Sequence, residues 1–87
     1  MIIGKVVGVV VSTRKNEKLI GNKFMIVEPL PSMKAGGRII AIDQIGAGIG
    51  ENVLVALGSS ARMACSVKEA PVDAAIIGII DEGQNLE

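Results

Sequence analysis

The chain has 87 residues, enough for one small domain whose surface outweighs its core, so a stable fold of this size calls for help beyond simple burial. Its single cysteine excludes an intrachain disulfide, and one cysteine without any histidine cannot supply the usual ligands of a zinc site. Nine basic and nine acidic residues cancel, which argues against a partner held by phosphate neutralisation, so no nucleic-acid partner is expected. Hydrophobic residues make up 49% of the chain and aromatics 1%, so burial must come from many small aliphatic contacts, as in strand packing and subunit interfaces. Met1 to Val7 lacks the basic start of a signal peptide, and no apolar run is long enough to span a bilayer. The expectation is a soluble, cytoplasmic protein with no membrane partner.

Met1 to Ser12 is rich in Val and Ile, interrupted only by Gly4, Lys5 and Gly8, which favours a first strand because β-branched side chains lose freedom against a helical turn. Thr13 to Lys18 is polar and mixed in charge, a solvated turn in which Arg14, Lys15 and Lys18 serve either solubility or an interface. Leu19 to Glu28 reads as a second strand that stops where Pro29 removes a ladder donor. Pro29 to Gly37 is loop chemistry throughout, and Arg38 to Asp43 is the third strand. Gly46, Gly48 and Gly50 then free the backbone for positive φ or for close approach of another chain. Val53 to Leu57 follows as a buried fourth strand closed by Gly58, after which Ser59 or Ser60 offers a hydroxyl to cap a short helix carrying Ala61, Arg62, Met63 and Ala64.

Ala74 to Ile80 is the fifth strand, with Ala75, Ile77 and Ile79 on one face and Ala74, Ile76 and Ile80 on the other. Both faces are apolar. Parallel pairing of neighbours needs a long crossover, and only Gly58 to Asp73 provides one, so a mostly antiparallel sheet is expected. Its second apolar face then has no cover within the chain, and another subunit is the economical one. Closing such a sheet into a small barrel removes its open edges and leaves the other face partly for neighbours. No repeat or linker marks a domain boundary; residues 1–81 read as a single barrel domain and 82–87 as a polar tail.

Catalytic signals fail on context. Gly46, Gly48 and Gly50 open a strand rather than a helix, and Glu51 would repel phosphate, so a structural turn outweighs a phosphate cradle. Ser59 and Ser60 have no histidine to activate them. Asp43 and Glu51 flank the turn without an oxyanion or metal partner and read as exposed turn carboxylates. Cys65 reads as a small buried filler, and Asp73 as a turn or strand-entry residue. Phe24 is the sole aromatic, so the stacking platform of a single-strand-binding barrel is missing. No catalytic residue, cofactor or metal is expected.

Three motifs in order, Thr13-Arg14-Lys15-Asn16-Glu17-Lys18-Leu19, the run from Asp43 to Arg62, and Pro71 to Asp81, make the chain resemble the EutN/CcmL family of bacterial microcompartment vertex proteins. The resemblance spans nearly the whole chain. It implies a five-stranded barrel like an OB-fold with one short helix, assembled as a ring. It implies a non-enzymatic homopentamer that caps the vertices of a polyhedral shell beside hexameric tiles. The residues alone do not encode the rotation angle, so a six-membered ring satisfies them too. The resemblance also implies that Ser59, Ser60 and Arg62 fix the ring. Gly46, Gly48 and Gly50 would allow close subunit approach or shape the loop around the central axis, and Ile76, Ile77 and Ile79 would supply core and interface area. The competing reading is an oligomeric OB-like barrel that binds a small ligand or nucleic acid.

Overall fold

The N-terminal run of Val and Ile forms β1 (Ile2–Val10), and the remaining strands are β2 (Lys23–Pro29), β3 (Ile39–Asp43), β4 (Asn52–Leu57) and β5 (Ala74–Ile80), with α1 (Ser59–Ala64) between the last two. They belong to a computed structural model that describes residues 1–11, 22–64 and 72–81. The loop at Thr13 to Lys18, the start of the second strand at Leu19 to Gly21, Cys65, Pro71 and the tail 82–87 lie outside the described residues. The strands close into a barrel in the order β1-β2-β3-β5-β4. Every pairing is antiparallel except β3 with β5, where Ile42 meets Ala75 and Asp43 meets Ile76 in parallel. This is the mainly β, five-stranded barrel with one short helix that the sequence led us to expect. Pro29 does not lie beyond the end of its strand but forms it, opposite Gly4, a terminal position where a missing donor costs little.

The interior is narrow. Val6, Val27, Val53 and Val55 are the largest fully buried side chains, and Met25, Ala41, Ala47, Ala74 and Ile76 complete the cluster. A second, outer cluster consists of Ile42, Ala61, Val72 and Ala75. Alternation puts Ile42 and Ala75 on the outer face, since their strand neighbours Ala41, Ala74 and Ile76 face in. The expectation that this second face has no cover within the chain is therefore corrected, because α1, through Ala61, and Val72 roof part of it.

Two bulges break the period of two. The β1–β2 register passes from Val6 opposite Val27 to Gly8 opposite Ile26, leaving Val7 as the extra residue. On β5, Val53 lies opposite Ile79 while Val55 lies opposite Ile76, so Ile77 is extra there. The face assignment read from strict alternation consequently holds only as far as Ile76. Beyond the bulge Ile79 shares a face with Val53 and no longer with Ala75.

Gly4 is where β1 comes closest to β2. A Cβ on this residue would sit 2.6 Å from Val27 Cγ1 and 2.8 Å from the carbonyl oxygen of Glu28, and the backbone oxygen cannot retreat without opening the ladder. Gly4→Ala is expected to destabilise the fold by about 1–3 kcal/mol, the usual cost of overpacking. Gly37→Ala, which meets open space, serves as the control. Urea midpoints at one protein concentration check this, and equal midpoints would remove Gly4 from the packing argument.

Candidate functional site

The turn between β3 and β4 is held by two carboxylates. Asp43, the last residue of β3, is 4% exposed, and its side chain accepts three backbone N–H groups. Oδ1 takes those of Ile45 at 3.0 Å and Gly46 at 3.2 Å, and Oδ2 takes that of Ala47 at 2.9 Å. A buried carboxylate is tolerated when its lone pairs are met by such donors. The reading of Asp43 as an exposed turn carboxylate is therefore corrected. Glu51 is exposed as expected, and its Oε1 accepts the N–H of Gly48 at 2.6 Å. Each acid is thus committed to the backbone of the same turn.

The far side of the turn is tied to the first strand. Gly50 donates its N–H to the Val6 carbonyl at 2.8 Å, and Val6 donates to the Glu51 carbonyl at 2.9 Å. Gly46 and Gly50 adopt φ of +85° and +92°, which side chains with a Cβ rarely take, so these two positions need glycine. Gly48 differs: a Cβ there would come 3.2 Å from Glu51 Oε1, so this glycine leaves room for the carboxylate that grips it. Ala47 packs into the barrel core, while Ile49 is held outward, 66% exposed. The loop is therefore a pinned frame carrying an apolar tip.

At the other end of β4, Gly58 takes φ of +63° and donates its N–H to the Asp73 carbonyl at 2.7 Å. The helix begins at Ser59, so both serines lie inside its first turn and the residue preceding the helix is Gly58. The expected cap by a serine hydroxyl is corrected to that extent. Ser59 and Ser60 are exposed, and Arg62 belongs to α1, with its side chain outside the described set. Ile76 is buried in the barrel interior, so its area is core area. Ile77 and Ile79 are exposed, as are Ile40 and Leu57. Ala75, by contrast, lies under α1, and a charge introduced there would test helix docking rather than contact with a neighbour.

The sequence residues therefore fall into two groups separated along the barrel, the glycine turn at one end of β4 and the serine-led helix at the other. Sequence reasoning missed Gly4 and the burial of Asp43. A hint of the latter was present, since Asp followed closely by glycine often bonds its own downstream amides. Among the described residues no group of three or more His, Cys, Asp or Glu is placed to hold a metal, and no helix is long and apolar enough to cross a membrane.

A small closed barrel, with a glycine turn pinned by backbone hydrogen bonds and exposed apolar residues, defines a class of barrel with ample surface for packing against other chains. The chain belongs to the EutN/CcmL family: the family model described as ethanolamine utilisation protein EutN/carboxysome matches residues 1–81. It is 45% identical over 83 residues to the bacterial microcompartment shell vertex protein GrpN of Rhodospirillum rubrum, covering 93% of each chain. It is 47% identical over 85 residues to the carboxysome shell vertex protein CcmL of Synechococcus elongatus, covering 93% of this chain and 84% of that one. Among solved structures, the GrpN pentameric microcompartment shell protein from Rhodospirillum rubrum superposes with a TM-score of 0.82 at 42% identity, over 99% of this chain and 100% of that one.

The two carboxylates differ in what their loss should cost. Asp43→Ala leaves the buried Ala47 amide without its acceptor, and a destabilisation of about 1–3 kcal/mol is expected. Glu51→Ala removes an acceptor from an exposed amide that water can serve, and a change of about 0.5 kcal/mol or less is expected. Thermal or urea unfolding of both variants at matched concentration reads the contrast. Equal effects would mean that the Asp43 carboxylate is not what holds the turn.

Proposed function

We propose that this chain is a structural shell protein that assembles as a homopentamer and caps the vertices of a polyhedral bacterial microcompartment. The observation that carries the reading is the end-to-end match to a pentameric microcompartment shell protein at 42% identity, over 99% of this chain and 100% of that one. The physical logic agrees with it. A flat layer of hexameric tiles cannot close, so a five-fold piece must sit at each corner, and head-to-tail contacts make such a ring when the rotation closes.

On this reading the protein is not an enzyme, works in the cytoplasm as part of the shell, and meets hexameric shell proteins along its rim. Gly46, Gly48 and Gly50 shape the loop near the axis or allow close approach of a neighbour. Ser59, Ser60 and Arg62 fix the ring, and Ile77 and Ile79 add interface area. The barrel domain ends at residue 81, and 82–87 is a polar tail that takes no part in the core. Both acids at the turn are already bonded to backbone amides, which supports the absence of acid–base chemistry there.

Native mass spectrometry of the purified chain is expected to show a mass of five subunits; a stable monomer would sink the proposal, and six subunits would move it to another symmetry. Co-expression with hexameric shell proteins is expected to give closed particles, and open sheets or tubes when this chain is omitted. Titration with single-stranded oligonucleotide at low salt is expected to show no appreciable binding. Saturable binding there would favour the ligand-binding barrel instead.

A further inference from the structure

The barrel is closed along only part of two of its seams. Between β3 and β5 the ladder consists of Ile42 with Ala75 and Asp43 with Ile76 alone; the same register sets Ala41 against Ala74, and Arg38 to Ile40 present an edge with no described strand beside it. A cleft lies there, lined by Arg38, Ile39, Ile40, Leu57, Asp73 and Ala74. Ile40, at its centre, is 55% exposed. Between β1 and β4 the ladder runs only from Ile2 to Lys5. Val6 is then taken by the glycine turn, Val7 is the bulge residue, and among the described residues Gly8 to Val10 pair with β2 alone. Val9, on this second free edge, is 47% exposed.

The two openings are disposed as a ring contact requires. In the order β1-β2-β3-β5-β4 they are separated by two strands one way and three the other, so they lie on roughly opposite flanks. They also lie at nearly one level along β2, since Val9 pairs with Met25 while Ile40 pairs with the next residue, Ile26, as copies related by a rotation alone require. A sheet edge beside exposed aliphatic side chains is a template for another strand, and proteins that keep one usually cover it. Two different patches on opposite flanks that complement each other make a head-to-tail contact rather than a two-fold one.

We infer that the contact between neighbouring copies is seam to seam: the β3 edge and its Ile40–Leu57 cleft on one copy receive the outer half of β1, around Val9, from the next. The occupant of the cleft is thus a second copy of this chain. The inference rests on the ring reading above and adds to it which two surfaces meet. The glycine turn is a weaker candidate for that contact, because its amides are already committed to Asp43, Glu51 and Val6.

The test uses two full-length variants in a Cys65→Ser background, Ile40→Cys and Val9→Cys, produced together so that rings hold both. Diamide oxidation is expected to give a disulfide-linked dimer on non-reducing gels for the co-produced pair. Rings of either variant alone should give none. Absence of the bridge in rings that native mass spectrometry shows to be intact would overturn the seam assignment and leave the ring reading standing. An unmodified chain that stays monomeric would overturn both. Should the cysteine variants fail to assemble, hydroxyl-radical footprinting of the unmodified ring decides: oxidation of both Ile40 and Val9 should fall severalfold below that of the unfolded chain. Full reactivity at either position overturns the inference.

Discussion

Closing five short strands on themselves makes an interior so narrow that only small side chains fit, and the rest of the molecule follows from that limit. Its largest fully buried side chains are all valines, and one strand must present Gly4 where a β-carbon would meet its neighbour's backbone. The chain nonetheless carries far more Ile, Leu and Val than such an interior accepts. The surplus lies on the outside, where α1 roofs Ala75 and Ile42 but leaves Ile40, Leu57 and Ile77 uncovered. Composition and closure together thus create apolar surface that no described element of a single copy hides, and on the proposed reading association supplies the missing burial.

The same narrowness explains the use of a carboxylate in place of a longer polar network. At the end of β3 the chain must turn back across the mouth of the barrel, which leaves several amides without ladder partners. Asp43 collects three of them in one side chain, and the charged acceptor makes each bond stronger than a neutral one would be. Glycines at positive φ on either side of Ala47 let that single residue drop into the core while Ile49 is pushed out. On the proposed reading, function does not require a reactive group here. It requires a turn whose shape is the same in every copy, because symmetric assembly repeats any local slack around the ring.

Element existence was legible because the strands are runs of β-branched residues bounded by glycine and proline. The fifth strand, Ala74 to Ile80, matches its reading residue for residue, and the fourth differs by one position at Asn52. What the residues could not reveal is parity. An extra residue at Val7 and another at Ile77 shift the period of two, and no propensity marks a bulge among so many similar side chains. Nor was the parallel meeting of β3 and β5 visible, since it joins segments separated by a whole strand and a helix. At the glycine turn, spacing alone was enough to favour a structural role over a phosphate site. The burial of Asp43 was hidden, because it depends on which side of the sheet the turn folds over.

Those bulges also bear on assembly. A barrel is the standard way to abolish sheet edges, yet here closure is achieved with strands that overlap their neighbours for only part of their length. The β3–β5 ladder is two pairs long, and the β1–β4 ladder ends at Lys5 because β1 bends away at its bulge toward β2. Full-length pairing would seal the outside and leave aliphatic patches with no edge beside them to fix their register. Partial pairing leaves a patch and an edge together, and an edge dictates direction and register as well as area. Hydrophobic surplus alone would favour disordered clustering. Coupled to two open seams on opposite flanks, it favours one repeated contact, which is what a closed ring needs.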